Sequence, residues 1–202
     1  MLRIQKGSDT AVIVMHEIYG INAHMELVCN TLSGYGVDAW CPDLLNRGEA
    51  AFAYAEESDA YAHFMQEVGF TAAAASARRL IAEIAPSYRQ IILVGFSVGA
   101  TIAWLLSEEP AVHGIVGFYG SRIRNYMEVS PACEALLFFP QEEGSFNVDD
   151  LLAALRDKPL VEVHKFSGQH GFSDPYSPKY NEASAQETLQ RVRHFLSWVE
   201  ST

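Results

Sequence analysis

Six short apolar runs, at residues 11–15, 37–41, 91–96, 114–119, 135–139 and 161–166, alternate along the chain with segments of helical pattern. This alternation constrains the fold most, because parallel strands joined through helices form a sheet that the helices then cover. The expected class is α/β, a mostly parallel sheet flanked by helices on both faces. Local punctuation agrees. Asn22 can cap a helix that runs through Leu32 and ends near Gly34 and Gly36, while Pro86 and Pro110 stop the helices before them. The segment 182–199 sets Leu189, Val192, Phe195, Leu196 and Val199 on one face at helical spacing, so it should close the sheet on one side. The one long excursion, residues 44–70, carries Tyr54, Tyr61 and Phe64 and either roofs a pocket or forms a solvated loop and helix. With no repeat, low-complexity tract or linker, residues 1–202 read as a single domain.

One junction is abrupt. The run Ile91-Ile92-Leu93-Val94 meets Gly95-Phe96-Ser97-Val98-Gly99 and passes at once into the apolar helical pattern that begins at Ala100. A strand that turns into a helix at a serine flanked by two glycines is the setting of a nucleophile elbow, which throws the serine side chain outward above the sheet. Ser97 is therefore the expected nucleophile. A serine hydroxyl needs a base to take its proton, and the base needs an acid to hold its tautomer. His170, in a glycine-flanked loop after the late run 161–166, stands where that base belongs. His24, His63, His113, His164 and His194 read as surface or packed structural residues, and no pair of them has metal-ligand spacing with a companion carboxylate. The acid should leave the preceding strand, whose end reads Pro140-Gln141-Glu142-Glu143, so the choice lies between two glutamates; Glu143 is favoured, with Glu142 as its exposed neighbour. Asp149 and Asp150 open the next helix, where the dipole explains them. The oxyanion donors would be the Val98 N–H and one from the loop Glu17-Ile18-Tyr19-Gly20.

Composition narrows the partners. Of 202 residues, 49% are hydrophobic and the net charge is -11, so a nucleic-acid partner, which needs a basic stripe, is not expected. No apolar run is long enough to span a bilayer, and the N-terminus lacks a cleavable leader pattern. Cys29, Cys41 and Cys133 form an odd set without C-x-x-C spacing and read as buried hydrophobes of a reducing compartment, so a cytoplasmic location is expected.

These residues resemble the dienelactone hydrolase family of α/β-hydrolases. The resemblance covers most of the chain, through His16-Glu17-Ile18-Tyr19-Gly20-Ile21-Asn22, Cys41-Pro42-Asp43-Leu44, the elbow, Gly117-Phe118-Tyr119-Gly120 and His170-Gly171-Phe172. It implies a compact α/β-hydrolase fold without a cap domain, a Ser97–His170–Glu143 triad, oxyanion donors at Ile18 and Val98, a supporting Glu17, and pocket aromatics at Tyr19, Tyr61, Phe64 and Tyr119. Three departures accompany it. Serine replaces the cysteine of the founding members, glutamate replaces the usual aspartate, and Glu57 and Asp174 occupy the positions at which members acting on dienelactone hold its carboxylate with arginines. Neutral substrates are therefore expected to win, unless Arg47, Arg122 or Arg124 supplies a cation from the rim. The expected reaction is cleavage of a small carboxylic ester, lactone or thioester through an acyl-enzyme, with no cofactor and no metal. Acyl transfer or perhydrolysis from the same intermediate is the first alternative, and a non-catalytic small-ligand-binding module is the second.

Overall fold

The computed structural model describes residues 1–48 and 51–200. In chain order the first half comprises β1 (Leu2–Ile4), β2 (Thr10–Met15), α1 (Ala23–Ser33), β3 (Asp38–Cys41), α2 (Glu57–His63) and α3 (Gly69–Ile84). The second comprises β4 (Gln90–Phe96), α4 (Val98–Leu105), β5 (Gly114–Phe118), β6 (Glu134–Glu142), α5 (Val148–Arg156), β7 (Val161–Gln169) and α6 (Glu182–Glu200). The strands form one sheet in the order β1-β3-β2-β4-β5-β6-β7, parallel except for the antiparallel edge pair β1–β3.

The central strands are continuous apolar runs because both of their faces are covered. Along β2, Ala11, Ile13 and Met15 join the core beneath α3, α4 and α5, whereas Val12 and Val14 join the core beneath α1 and α6. The same alternation separates Ile91 and Leu93 from Ile92, Val94 and Phe96 in β4. Each fully buried aliphatic side chain contributes about 1.5–3 kcal/mol, so the double-sided burial fixes the register of the strands that carry the site. Asn22 caps α1 by accepting from the Met25 N–H at 3.2 Å, and Val192, Leu196 and Val199 turn the buried face of α6 to the sheet. Among the described residues no helix is long and apolar enough to cross a membrane.

One strand has no counterpart among the expected runs, and two others run past their expected ends. The edge strand β1 carries only three residues, partly exposed, and has no apolar run to announce it. β6 continues through Pro140 to Glu142, and β7 through Gly168 to Gln169. Between the pairs Pro140↔Phe166 and Glu142↔Gln169, β7 gains one residue over β6, and Gly168 there takes φ +113. The bulge restores pairing at Glu142↔Gln169, so the two residues that follow leave the sheet side by side. They are Glu143 and His170.

Candidate active site

At the elbow, Ser97 has φ 53 and ψ -112, a conformation that strains any side-chain-bearing residue. Its neighbours permit it. A Cβ on Gly95 would lie 2.2 Å from the Gly99 carbonyl oxygen, and one on Gly99 would lie 2.2 Å from that of Met15, so α4 can start this close to β4 and β2 only with glycine at both places. The Ser97 N–H is tied to the Phe118 carbonyl at 2.9 Å, which anchors the turn to the end of β5.

The hydroxyl of Ser97 lies 2.8 Å from His170 Nε2, and His170 Nδ1 lies 2.6 Å from Glu143 Oε1. An Nδ1–H donated to the carboxylate leaves the Nε2 lone pair to accept the serine proton. The Glu143 side chain is 9% exposed and that of His170 30%, so the carboxylate is sheltered while the imidazole faces the cleft. Glu142 is exposed. Successive residues at a strand end point to opposite sides, so only one of the two glutamates can share a side with His170, and Glu143 does.

Val98 opens α4, where its N–H has no carbonyl four residues back to bond, and Ile18 lines the same cleft as Ser97 and Val98. The loop carrying Ile18 is clamped by a residue that carries no role in the sequence reading. Buried His16 accepts the Leu44 N–H at Nε2 (2.9 Å) and donates from Nδ1 to the Glu17 carbonyl (2.6 Å). Burial lowers its pKa, which favours this neutral tautomer. Beside it, buried Glu17 accepts from the Tyr119 hydroxyl at 2.9 Å, and Tyr119 Oη lies 3.0 Å from Ser173 Oγ. Burial pushes the Glu17 carboxyl above its ordinary range, opposed by the charges of His24 and His170 and by the Tyr119 hydrogen bond.

The cleft above the triad has a volume of about 880 Å³ and is walled by α2, the turn after β5, the β6–α5 loop and the His170 loop. This arrangement meets a match over residues 2–199 to the family model described as the dienelactone hydrolase family. The chain belongs to the dienelactone hydrolase family. It is an ester-bond hydrolase by that membership. It is 40% identical over 185 residues to the uncharacterized protein YczH of Bacillus subtilis, covering 91% of this chain and 90% of the relative. It is 26% identical to the carboxymethylenebutenolidase of Pseudomonas putida, covering 97% and 89% of the two chains. A solved structure named as a candidate dienelactone hydrolase from Klebsiella pneumoniae superposes with a TM-score of 0.80 at 21% identity, over 98% of this chain and 90% of that one, and shares the α/β-hydrolase fold.

Several residues implied by the family resemblance sit elsewhere than at the cleft. Tyr61, 38% exposed on α2, does line it. Phe64 is in the core edge-on to Phe70, Tyr119 is buried beneath the site with its ring 4.9 Å from His170, and Tyr19 packs edge-on against Tyr54. The larger correction concerns Asp174. It is 1% exposed, accepts from the Tyr54 hydroxyl at 2.5 Å and the Tyr176 N–H at 2.8 Å, and lies 3.7 Å from His24 Nδ1. A carboxylate held this way is a structural anchor and does not line the cleft. Glu57 remains on the wall, but so do Arg122 and Arg124, while Arg47 packs over Phe52. Of the two carboxylates behind the expectation that neutral substrates win, Glu57 alone lines the cleft.

Proposed function

We propose that this protein is a serine hydrolase that cleaves a carboxylic ester, lactone or thioester of a small molecule through an acyl-enzyme. The observation that carries the reading is the unbroken hydrogen-bonded line from Ser97 Oγ through the His170 ring to Glu143, at 2.8 and 2.6 Å, raised above the sheet on a strained turn.

Ser97 Oγ attacks the carbonyl carbon as its proton passes to His170 Nε2. The imidazolium that forms is stabilised by Glu143, which already accepts the Nδ1–H. The Val98 and Ile18 N–H groups receive the oxyanion, each contributing roughly 3 to 4 kcal/mol in comparable sites. His170 then gives its proton to the leaving oxygen or sulfur, and an acyl-Ser97 ester remains. Water, deprotonated by His170, attacks that ester and releases the acid. Glu17 acts as support: a carboxylate is too weak a base to ionise a hydroxyl, and its hydrogen bond goes to Tyr119. The lactone named in the relatives' carboxymethylenebutenolidase activity is one member of this substrate class. The three cysteines are free and buried, which supports a cytoplasmic location.

The test is a matched panel of aryl ester, lactone and thioester with wild type and Ser97→Ala. Turnover of at least one class that disappears in Ser97→Ala is expected; turnover that persists in the variant would refute the nucleophile.

A further inference from the structure

A short 3₁₀ turn, Ser121–Asn125, begins three residues beyond Phe118, the end of β5, and brings Arg122 and Arg124 to the wall of the cleft that holds Ser97. Some cations of the chain are matched with acids, as in Arg78 with Glu109, Arg191 with Glu187 and Lys165 with Asp149. These two are not. Arg122 donates to the Tyr61 hydroxyl, and Arg124 donates to the Ser121 carbonyl and lies 4.7 Å over the Phe146 ring. All three partners are neutral, and neither guanidinium forms an ion pair with a carboxylate among the described residues. A guanidinium carries five N–H donors in a planar fork, so one such bond leaves most of the donors of each for other acceptors. The two side chains are close enough for Arg122 to add to the burial that lowers the Arg124 pKa, with Glu143 acting in the opposite sense.

The same wall carries Lys179 and three carboxylates, Glu57, Glu142 and Glu143, so its formal charges balance. Glu143 is bonded to His170, and Glu57 and Glu142 are exposed to solvent, so the carboxylates are engaged apart from the two guanidinium groups. In a chain with 25 acidic and 14 basic residues, two neighbouring arginines on the wall beside Ser97, with no ion pair to a carboxylate among the described residues, make a local cluster of cationic donors.

We propose that Arg122 and Arg124 form an anion subsite, so that the preferred substrates carry an anionic oxygen group, carboxylate or phosphate, on the part remote from the scissile carbonyl. The proposal rests on the serine-hydrolase reading for its kinetic consequence, but the anion site itself does not need turnover. A bidentate guanidinium contact would orient the substrate as well as bind it.

The kinetic test compares kcat/KM at low salt for matched aryl esters ending in a methyl, a carboxylate or a phosphate. Wild type should prefer one of the anionic esters by about tenfold or more, and the better of the two identifies the group. The anionic-to-neutral ratio should fall about tenfold in Arg124→Gln, fall in Arg122→Gln, and approach unity in the double variant, while Arg79→Gln on the exposed side of α3 keeps the wild-type ratio. A second arm titrates Ser97→Ala with inorganic phosphate and with succinate, followed by NMR shifts. Saturable binding that vanishes when both arginines are replaced supports the subsite. A ratio at or below unity in wild type, a preference unchanged in the double variant, or no anion binding to Ser97→Ala overturns it. Ser97-dependent hydrolysis with a flat ratio would refute the subsite and leave the catalytic reading standing; arginine-dependent anion binding without any turnover would do the reverse.

Discussion

Glu143 and Glu17 both lie close enough to His170 to feel its charge, yet the fold uses the two carboxylates differently. Glu143 follows β6 at the mouth of the cleft, is bonded to the imidazole itself, and belongs to a line that opens on solvent at Ser97. Glu17 lies in the loop after β2, takes its hydrogen bond from Tyr119, and belongs to a buried set that continues through Ser173, with Asp174, His24 and Tyr54 nearby. The front carboxylate changes what an exposed imidazole can do. The rear one is desolvated, so its charged form is disfavoured, and its hydrogen bond ties the loop after β2 to Tyr119. Distance to the histidine does not assign a role; the bonded partner and the exposure do.

The largest expected effects lie on the front side. Ser97→Ala and His170→Ala should each lower kcat by on the order of 10⁵ to 10⁶, and the double variant should lose little more, because the two residues act as one unit. Additive losses in steady-state assays would separate them and break the front half of the comparison. Glu143→Gln should cost about 10³ to 10⁴ in kcat, since the amide cannot hold the same tautomer, whereas Glu142→Gln should stay within about threefold. A large loss at Glu142 would move the acid one residue back.

Behind the site, the effects should appear in stability. Tyr54→Phe removes the donor that Asp174 accepts at 2.5 Å and should destabilise by about 1–3 kcal/mol in urea unfolding, with kcat within about threefold. A collapse of kcat without loss of folding would show that the rear cluster takes part in the chemistry. The smallest effect is expected at Glu17→Gln, and its sign depends on pH. The folded-state pKa of Glu17 is raised, so the folded protein holds this proton more tightly than the unfolded chain does. The stability it contributes is full below the unfolded value of 4.5 and is lost as pH rises through the folded value. Glu17→Gln should therefore gain thermal stability relative to wild type as pH is raised from 4.5 upward, while hydrolysis falls far less than in His170→Ala. A loss of activity equal to that of His170→Ala, with the fold intact, would erase the distinction between the two carboxylates.

How much of this was legible in the sequence depended on burial. β2, β4 and β5 are covered on both faces and announce themselves as apolar runs, and the elbow shows because Gly95 and Gly99 are sterically required. β1 is short and half-covered, and has no such signal. The choice of Glu143 over Glu142 became decidable only with the bulge that restores the pair Glu142↔Gln169, a feature of two strands that neither strand's sequence contains. Asp174 misled for a related reason. Its position in the family pattern suggested a place facing substrate, but the turn after His170, with Tyr54 arriving from a segment 120 residues away, folds it inward. Phe64 and Tyr119 were indistinguishable from pocket aromatics because a pocket wall and a core select the same side chains. The clamp made by His16 depends on Leu44, a contact between two loops that has no local pattern.

The central claim is that Ser97 carries the acyl group, and trapping tests it most directly. Wild type, Ser97→Ala and His170→Ala would be treated with a fluorophosphonate at neutral pH and examined by intact-mass and peptide-mapping mass spectrometry. The account predicts a single adduct on Ser97 in wild type, none in Ser97→Ala, and labelling slowed by orders of magnitude in His170→Ala. An adduct on another residue, or labelling of folded wild type no faster than of His170→Ala, would contradict it.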